Sequence, residues 1–210
     1  MAGLGVVLRG VRCAHGGRDV VHEVDLVVEP GERVALTGTN GSGKTTLLRA
    51  LLGLHRDSSG VIEVGGHRAA STRDWARRRR EVAWIPQRQA GRFPLLAEEL
   101  LASSGAPEQA GRAADDLGVG ALRRRALHTL SGGQLQRTYL ARAIGCVAAG
   151  AGVLAADEPT AALDFAGQEA AAELLASLPV TVLVVTHDRA VVRRCDRVLE
   201  MAAGRLREVS

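Results

Sequence analysis

The chain has 210 residues, 46% hydrophobic but only 2% aromatic, with a net charge of +4 and a pI near 9.6. That length suits one domain, or one with a small insert, whose core must be packed from Ala, Val and Leu. Cys13, Cys146 and Cys195 are odd in number and far apart, which speaks for free thiols and against a disulfide framework, and the longest uncharged run, Ala143 to Ala156, is too short for a membrane-spanning helix of about 20 residues.

Met1 to Leu8 lack a basic start and a cleavage site, so no signal peptide is expected. Val6 to Arg9, Val20 to Val28 and Arg33 to Thr37 read as strands, with turns at Gly16-Gly17 and Pro30-Gly31. Ser58-Ser59-Gly60 reads as a turn before a short strand, Val61 to Val64, closed by Gly65-Gly66. Arg73 to Arg80 reads as a basic helix, and Val82 to Ile85 as a strand stopped by Pro86. Strand signals are absent from Gln87 to Thr129, where Leu95 to Ala102 and Glu108 to Leu117 read as helices. This is a helical insert over about 88–135 within a single domain, 1–210. A longer helix follows from Gly132 to Ala149. Val153 to Ala156, Thr181 to Val185 and Arg197 to Met201 read as buried strands, with helices at Gln168 to Ser177 and Arg189 to Arg194 between them. Such alternation indicates an α/β fold with a mostly parallel sheet. The Arg runs 77–80 and 123–125 are expected on solvated helix faces or ends.

Three stretches carry chemistry. Gly38-Thr39-Asn40-Gly41-Ser42-Gly43-Lys44-Thr45-Thr46 matches the phosphate-binding loop G-x-x-x-x-G-K-[ST], between an apolar strand and a helix former. Glycines let the backbone approach an anion, and a helix N-terminus favours negative charge. Lys44 would reach the β- and γ-phosphates, and the Thr45 hydroxyl would bind Mg²⁺. Second, the strand from Val153 ends in Asp157 and Glu158. At a strand's carboxyl end these face the phosphate loop, Asp157 toward Mg²⁺ and Glu158 toward a water aimed at the γ-phosphate. Third, Leu130-Ser131-Gly132-Gly133-Gln134 places a capping Ser and two glycines at a helix start, which makes a second anion site.

With Leu130 to Gln134 added to the other two motifs, the chain resembles the nucleotide-binding subunit of an ATP-binding cassette (ABC) transporter over essentially its whole length. The resemblance implies a P-loop NTPase core, an antiparallel β subdomain near the N-terminus and a short inserted α-helical subdomain. It implies ATP and Mg²⁺, hydrolysis coupled to transport, and a head-to-tail dimer in which Ser131 to Gln134 of one copy close over ATP held by the other. Gln87 matches the glutamine that senses Mg²⁺, Asp164 in Ala161-Ala162-Leu163-Asp164 the loop that crosses the dimer interface, and His187 the histidine at the γ-phosphate. His15 stands where the family places an aromatic residue under adenine, and Phe165 where it usually has Pro. The implied partners are a separate membrane permease at the cytoplasmic membrane face and, for an importer, an extracytoplasmic binding protein; no nucleic acid is expected. Val82 to Arg88 with Phe93-Pro94 is similar to zinc and manganese import cassettes. The alternatives are a soluble ABC ATPase, a transporter subunit for another substrate, and a cassette that binds ATP without turnover. The last is disfavoured by the presence of Lys44, Asp157, Glu158 and His187.

Overall fold

The computed structural model describes residues 3–87 and 95–209. In chain order its elements are β1 (Val6–His15), β2 (Arg18–Val28), β3 (Arg33–Thr37), α1 (Lys44–Leu51), β4 (Ser58–Val64), β5 (His67–Arg68), α2 (Thr72–Glu81), β6 (Val82–Ile85), α3 (Ala97–Ala102), α4 (Pro107–Asp116), α5 (Gly132–Ala148), β7 (Val153–Asp157), α6 (Phe165–Ser177), β8 (Thr181–Val185), α7 (Arg189–Val192), β9 (Arg197–Ala202) and β10 (Arg205–Glu208). They form two sheets. One is antiparallel, in the order β2-β1-β4-β5; the other runs β10-β9-β3-β8-β7-β6, with every pair parallel except β10 with β9. The expected architecture is present: a mostly parallel core, an antiparallel subdomain near the N-terminus and helices between Gln87 and Ser131.

The residue pattern explains the layering. In β2, Val24, Leu26 and Val28 are buried while Glu23, Asp25 and Val27 face out, the alternation of a strand with one wet face. β3, β7 and β8 are buried on both faces, and their apolar runs serve two cores at once. Val34, Leu36, Val153, Ala155, Leu183 and Val185 pack with α1 and the antiparallel sheet. Ala35, Leu154, Ala156, Val182 and Val184 pack against α5, α6 and α7. α1 is thus held between the two sheets, and the loop that opens it is fixed from both sides. α4 lies on α5 through Ala110, Ala113, Ala114 and Ala141, small residues that let the helices approach closely.

Three expectations are corrected. Ser58-Ser59-Gly60 is the start of β4 and not a turn: Ser58 pairs with Cys13 and Ser59 with Arg12, and a bulge in β1 sets Gly10 and Val11 together opposite Gly60. Tertiary pairing here overrides turn propensity. β1 runs on past Arg9 to His15, and β5 and β10 were not anticipated; β10 is recognised only through its pairing with β9. Finally, Arg77 to Arg80 is not wholly a solvated face. Arg77, Arg79 and Arg80 are exposed, but Arg78 is only 2% exposed. It donates to the carbonyls of Leu51 at 3.0 Å, Ile62 at 3.3 Å and His67 at 2.9 Å, and its guanidinium lies 5.9 Å from the centre of the Trp75 ring. The carbonyls that close α1 and the β4–β5 hairpin need donors, and Arg78 supplies them.

Candidate functional site

The site lies at the carboxyl ends of the parallel strands, where open α/β sheets hold their ligands. β3 ends at Thr37, and the next six residues lead directly into α1. Gly38 has a φ of 127°, and a Cβ there would stand 2.1 Å from the Met201 carbonyl oxygen. Gly43 precedes α1 with a φ of 107°, and a Cβ there would stand 2.7 Å from the Val20 carbonyl oxygen. Only glycine lets the loop lie this close to β9 and β2. α1 begins without a side-chain cap, so its first N–H groups are left for an anion.

Lys44 is buried, and its ammonium donates to the carbonyls of Gly38 at 2.5 Å and Thr39 at 2.9 Å and to Ser42 Oγ at 3.5 Å. Burial pulls its pKa down, against the opposing pull of Glu158 and Asp157. The Thr45 hydroxyl donates to Asp157 Oδ2 at 2.7 Å. Asp157 is fully buried, and its Oδ1 has no hydrogen-bond partner among the described residues. Burial pushes its pKa up, and the Thr45 bond draws it partly back. Glu158 takes a φ of 50°, a left-handed conformation that costs on the order of 1 kcal/mol for a residue with a side chain. Its N–H donates to the Val185 carbonyl at 2.8 Å, which pins it to the end of β8. Its carboxylate stands 3.7 Å from His187 Nε2. Burial raises the Glu158 pKa, and His187 is the largest influence lowering it.

Lys44, Thr45, Asp157 and Glu158 line a cavity of about 600 Å³, together with His15, Asn40 and Gln87, whereas His187 does not reach it. A neighbouring cavity of about 530 Å³ lies between Glu158, His187 and Phe165, whose ring is 79% exposed. The first cavity also contains Val20, Arg49 and His55, which the sequence did not single out. Nothing in the sequence around His55 marks it, because the fold alone brings it beside His15.

Other expected site residues lie elsewhere in the chain. Ser131 caps α5: its hydroxyl accepts from Gln134 N at 3.3 Å, while Gln134 Oε1 accepts from Ser131 N at 2.9 Å. Asp164 caps α6, accepting from Gly167 N at 2.9 Å. Gly132 and Gly133 lie against Ala162, where added Cβ atoms would meet it at 3.3 and 3.1 Å. Residues 131–134 and Asp164 therefore form a second patch, and none of them lines the phosphate-loop cavity.

The donor set fits Mg²⁺. A hard cation takes oxygen ligands, and a buried carboxylate oxygen without a partner beside a threonine hydroxyl supplies them.

The ABC transporter family model matches residues 21–161. The hemin import ATP-binding protein HmuV of Nocardia farcinica is 40% identical over 206 residues, 90% of this chain and 69% of that protein. The pyoverdine export ATP-binding/permease protein PvdT of Pseudomonas savastanoi is 37% identical over 223 residues; the chain spans about a third of the length of that protein and of its other exporter relatives. The dimeric structure of MJ0796, a bacterial ABC transporter cassette, superposes with a TM-score of 0.87 at 26% identity, covering 98% of both chains. A post-hydrolysis state of the same cassette, bound to ADP and Pi, gives 0.86. The phosphate loop, the paired carboxylates and the capped α5 thus sit in a fold and a sequence that agree, and the chain belongs to the ABC transporter family as an ATPase cassette.

Proposed function

We propose that this chain is one domain that binds and hydrolyses ATP to drive transport through a separate membrane permease. The observation that carries the reading is the convergence of Lys44, Thr45, Asp157, Glu158 and His187 on one edge of the sheet. Triphosphate replaces the loop carbonyls as the partner of the Lys44 ammonium, with the N–H groups of residues 38–46 around it. Asp157 and Thr45 would hold Mg²⁺, with Gln87, which lines the same cavity, as a further ligand. When bound, Mg²⁺ neutralises charge developing on the phosphates. Glu158 orients the attacking water and accepts its proton; its burial moves its basicity toward neutral pH, where a general base works best. His187 steadies the Glu158 carboxylate and contacts the γ-phosphate.

The second anion site completes the cavity only in a pair of chains. Ser131 to Gln134 are exposed or half-buried and lie outside their own cavity, which supports closure over ATP in a second copy, with Asp164 at the seam. His15 would lie under adenine. No helix among the described residues is long and apolar enough to cross a membrane. The permease is proposed as a separate partner, met at its cytoplasmic face. A binding protein outside the membrane would complete an importer.

For the cargo, the similarity of Val82 to Gln87 to zinc and manganese cassettes favours Zn²⁺ or Mn²⁺ import; Arg88, Phe93 and Pro94, which share in it, lie outside the described residues. A second reading is hemin import, favoured by the 40% identity to a protein named for it.

Glu158→Gln tests the chemistry. Turnover should fall by about 10²- to 10⁴-fold while Mg-ATP still binds, and ATP should then hold the chain as a dimer in size exclusion. Lys44→Ala should lose nucleotide affinity instead. A Glu158→Gln chain that hydrolyses ATP at the original rate would remove Glu158 from the reaction; one that stays monomeric with ATP would remove the shared site.

A further inference from the structure

The nucleotide cavity has a second imidazole on the same side as His15, and it is tied to the hairpin that carries His15. β1 and β2 meet in a two-residue turn, Gly16-Gly17, with φ values of 58° and 77° and His15 paired to Arg18. Such a turn aims the tip, but the tip's stability depends on its edges. On one edge β1 pairs with β2 up to the turn. On the other, β4 supports β1 only as far as Cys13, which pairs with Ser58. Past that point the segment between α1 and β4 takes over. Ala14 N donates to the Asp57 carbonyl at 2.9 Å, and the Ala14 carbonyl lies 2.8 Å from His55 Nε2. A carbonyl only accepts, so Nε2 must be the donor, and the imidazole stands in for a missing rung of the ladder. His55 and His15 both line the cavity that holds the phosphate loop. The residue before His15 is therefore fastened by a side chain on the segment that leads out of the phosphate-binding helix.

We propose that His55 is a positioning residue for the nucleobase: its bond to Ala14 fixes the hairpin tip, and with it His15, at a set distance from the phosphate loop. This rests on the nucleotide-site reading above. An imidazole stacks over less area than a larger aromatic ring, so a tip left free to move would lose much of what His15 contributes. The contribution concerns the base and not the phosphates, which contact the loop at the other end of the cavity. Removing the bond should therefore separate the two ends of the ligand. Glutamine at this position keeps a donor near the place of Nε2, whereas alanine does not.

The test compares two probes, Mg-ATP and magnesium tripolyphosphate, which has no base, by calorimetry on the full chain. His55→Ala should weaken Mg-ATP about fivefold, the worth of one hydrogen bond, and leave tripolyphosphate within about twofold of its original affinity. His55→Gln should restore Mg-ATP binding. In turnover, the His55→Ala loss should appear in KM and not in kcat. Parallel loss of both probes in both variants would mean a general structural role and overturn the proposal, as would unchanged Mg-ATP binding in His55→Ala. An unsubstituted chain that bound neither probe would overturn the nucleotide site itself, and the role of His55 with it.

Discussion

Burial holds Asp157 and Glu158 at a cost. Both have folded-state pKa values raised by burial above ordinary values of 3.8 and 4.5. The folded chain thus holds a proton on each more tightly than the unfolded chain does. That contribution to stability is complete below the ordinary values and is lost as pH rises through the raised ones. The ligand-free chain should become less stable as pH rises above the ordinary carboxylate range because of these two groups. Asp157→Asn keeps the acceptor for Thr45 and removes the charge, so it should raise the melting temperature at neutral pH and flatten that pH dependence. The same variant should lose much of the stabilisation by Mg-ATP, which for a site saturated a hundredfold over its Kd is about 2.7 kcal/mol. Thermal melts across this pH range, with and without Mg-ATP, measure both effects. A melting temperature that falls on Asp157→Asn would mean that the carboxylate is stabilised by partners within the chain. The strained φ of Glu158 belongs to the same account, because a site assembled for a ligand retains conformations that the free chain would not choose.

At the scale of elements, α2 shows how a charged residue can serve packing. Its N-terminus carries a capping box between Ser71 and Asp74, and its Arg78 reaches the carbonyl end of α1 and the β4–β5 hairpin. Arg78→Ala would remove its hydrogen bonds to three carbonyls, at about 3 kcal/mol in total, whereas Arg78→Lys would keep only part of them. Urea unfolding should show that order of stability, with ATP affinity in the folded variants little changed; equal stability of all three chains would remove Arg78 as the tie between these elements. The elements also show what the sequence made legible. β6 and β8 were found to the residue, since Val82-Ala83-Trp84-Ile85 and Thr181 to Val185 are short apolar runs with firm stops. β10 was not, since Arg-Leu-Arg-Glu at a sheet edge has only one apolar residue, and its identity comes from β9. Arg78 is hidden in the sequence for a related reason: four consecutive arginines look alike until a neighbour's carbonyls select one. In the site, the phosphate loop and the carboxylate pair were visible because local spacing defines them. His55 and Arg49 reach the cavity from parts of the chain with no such spacing.

For the whole molecule, the proposed cargo is tested in a living cell. A strain lacking this chain should grow poorly under chelation unless zinc or manganese is added, and its uptake of radiolabelled metal should fall. Unchanged metal uptake together with loss of growth on hemin as iron source would favour the hemin reading and leave the ATPase chemistry untouched. One feature of the architecture has a practical side. Every group assigned to chemistry sits at the carboxyl edge of the parallel strands. The opposite edge begins at Arg33, Val82, Val153 and Thr181, a strand length of about 16 Å away for β7. The N-terminal segment is stitched into that opposite edge, with Leu4 N bonded to the Gly152 carbonyl. A fluorophore, a surface tether or a fused protein joined ahead of Leu4 would thus hang from the blunt side of the cassette, leaving the nucleotide edge unobstructed.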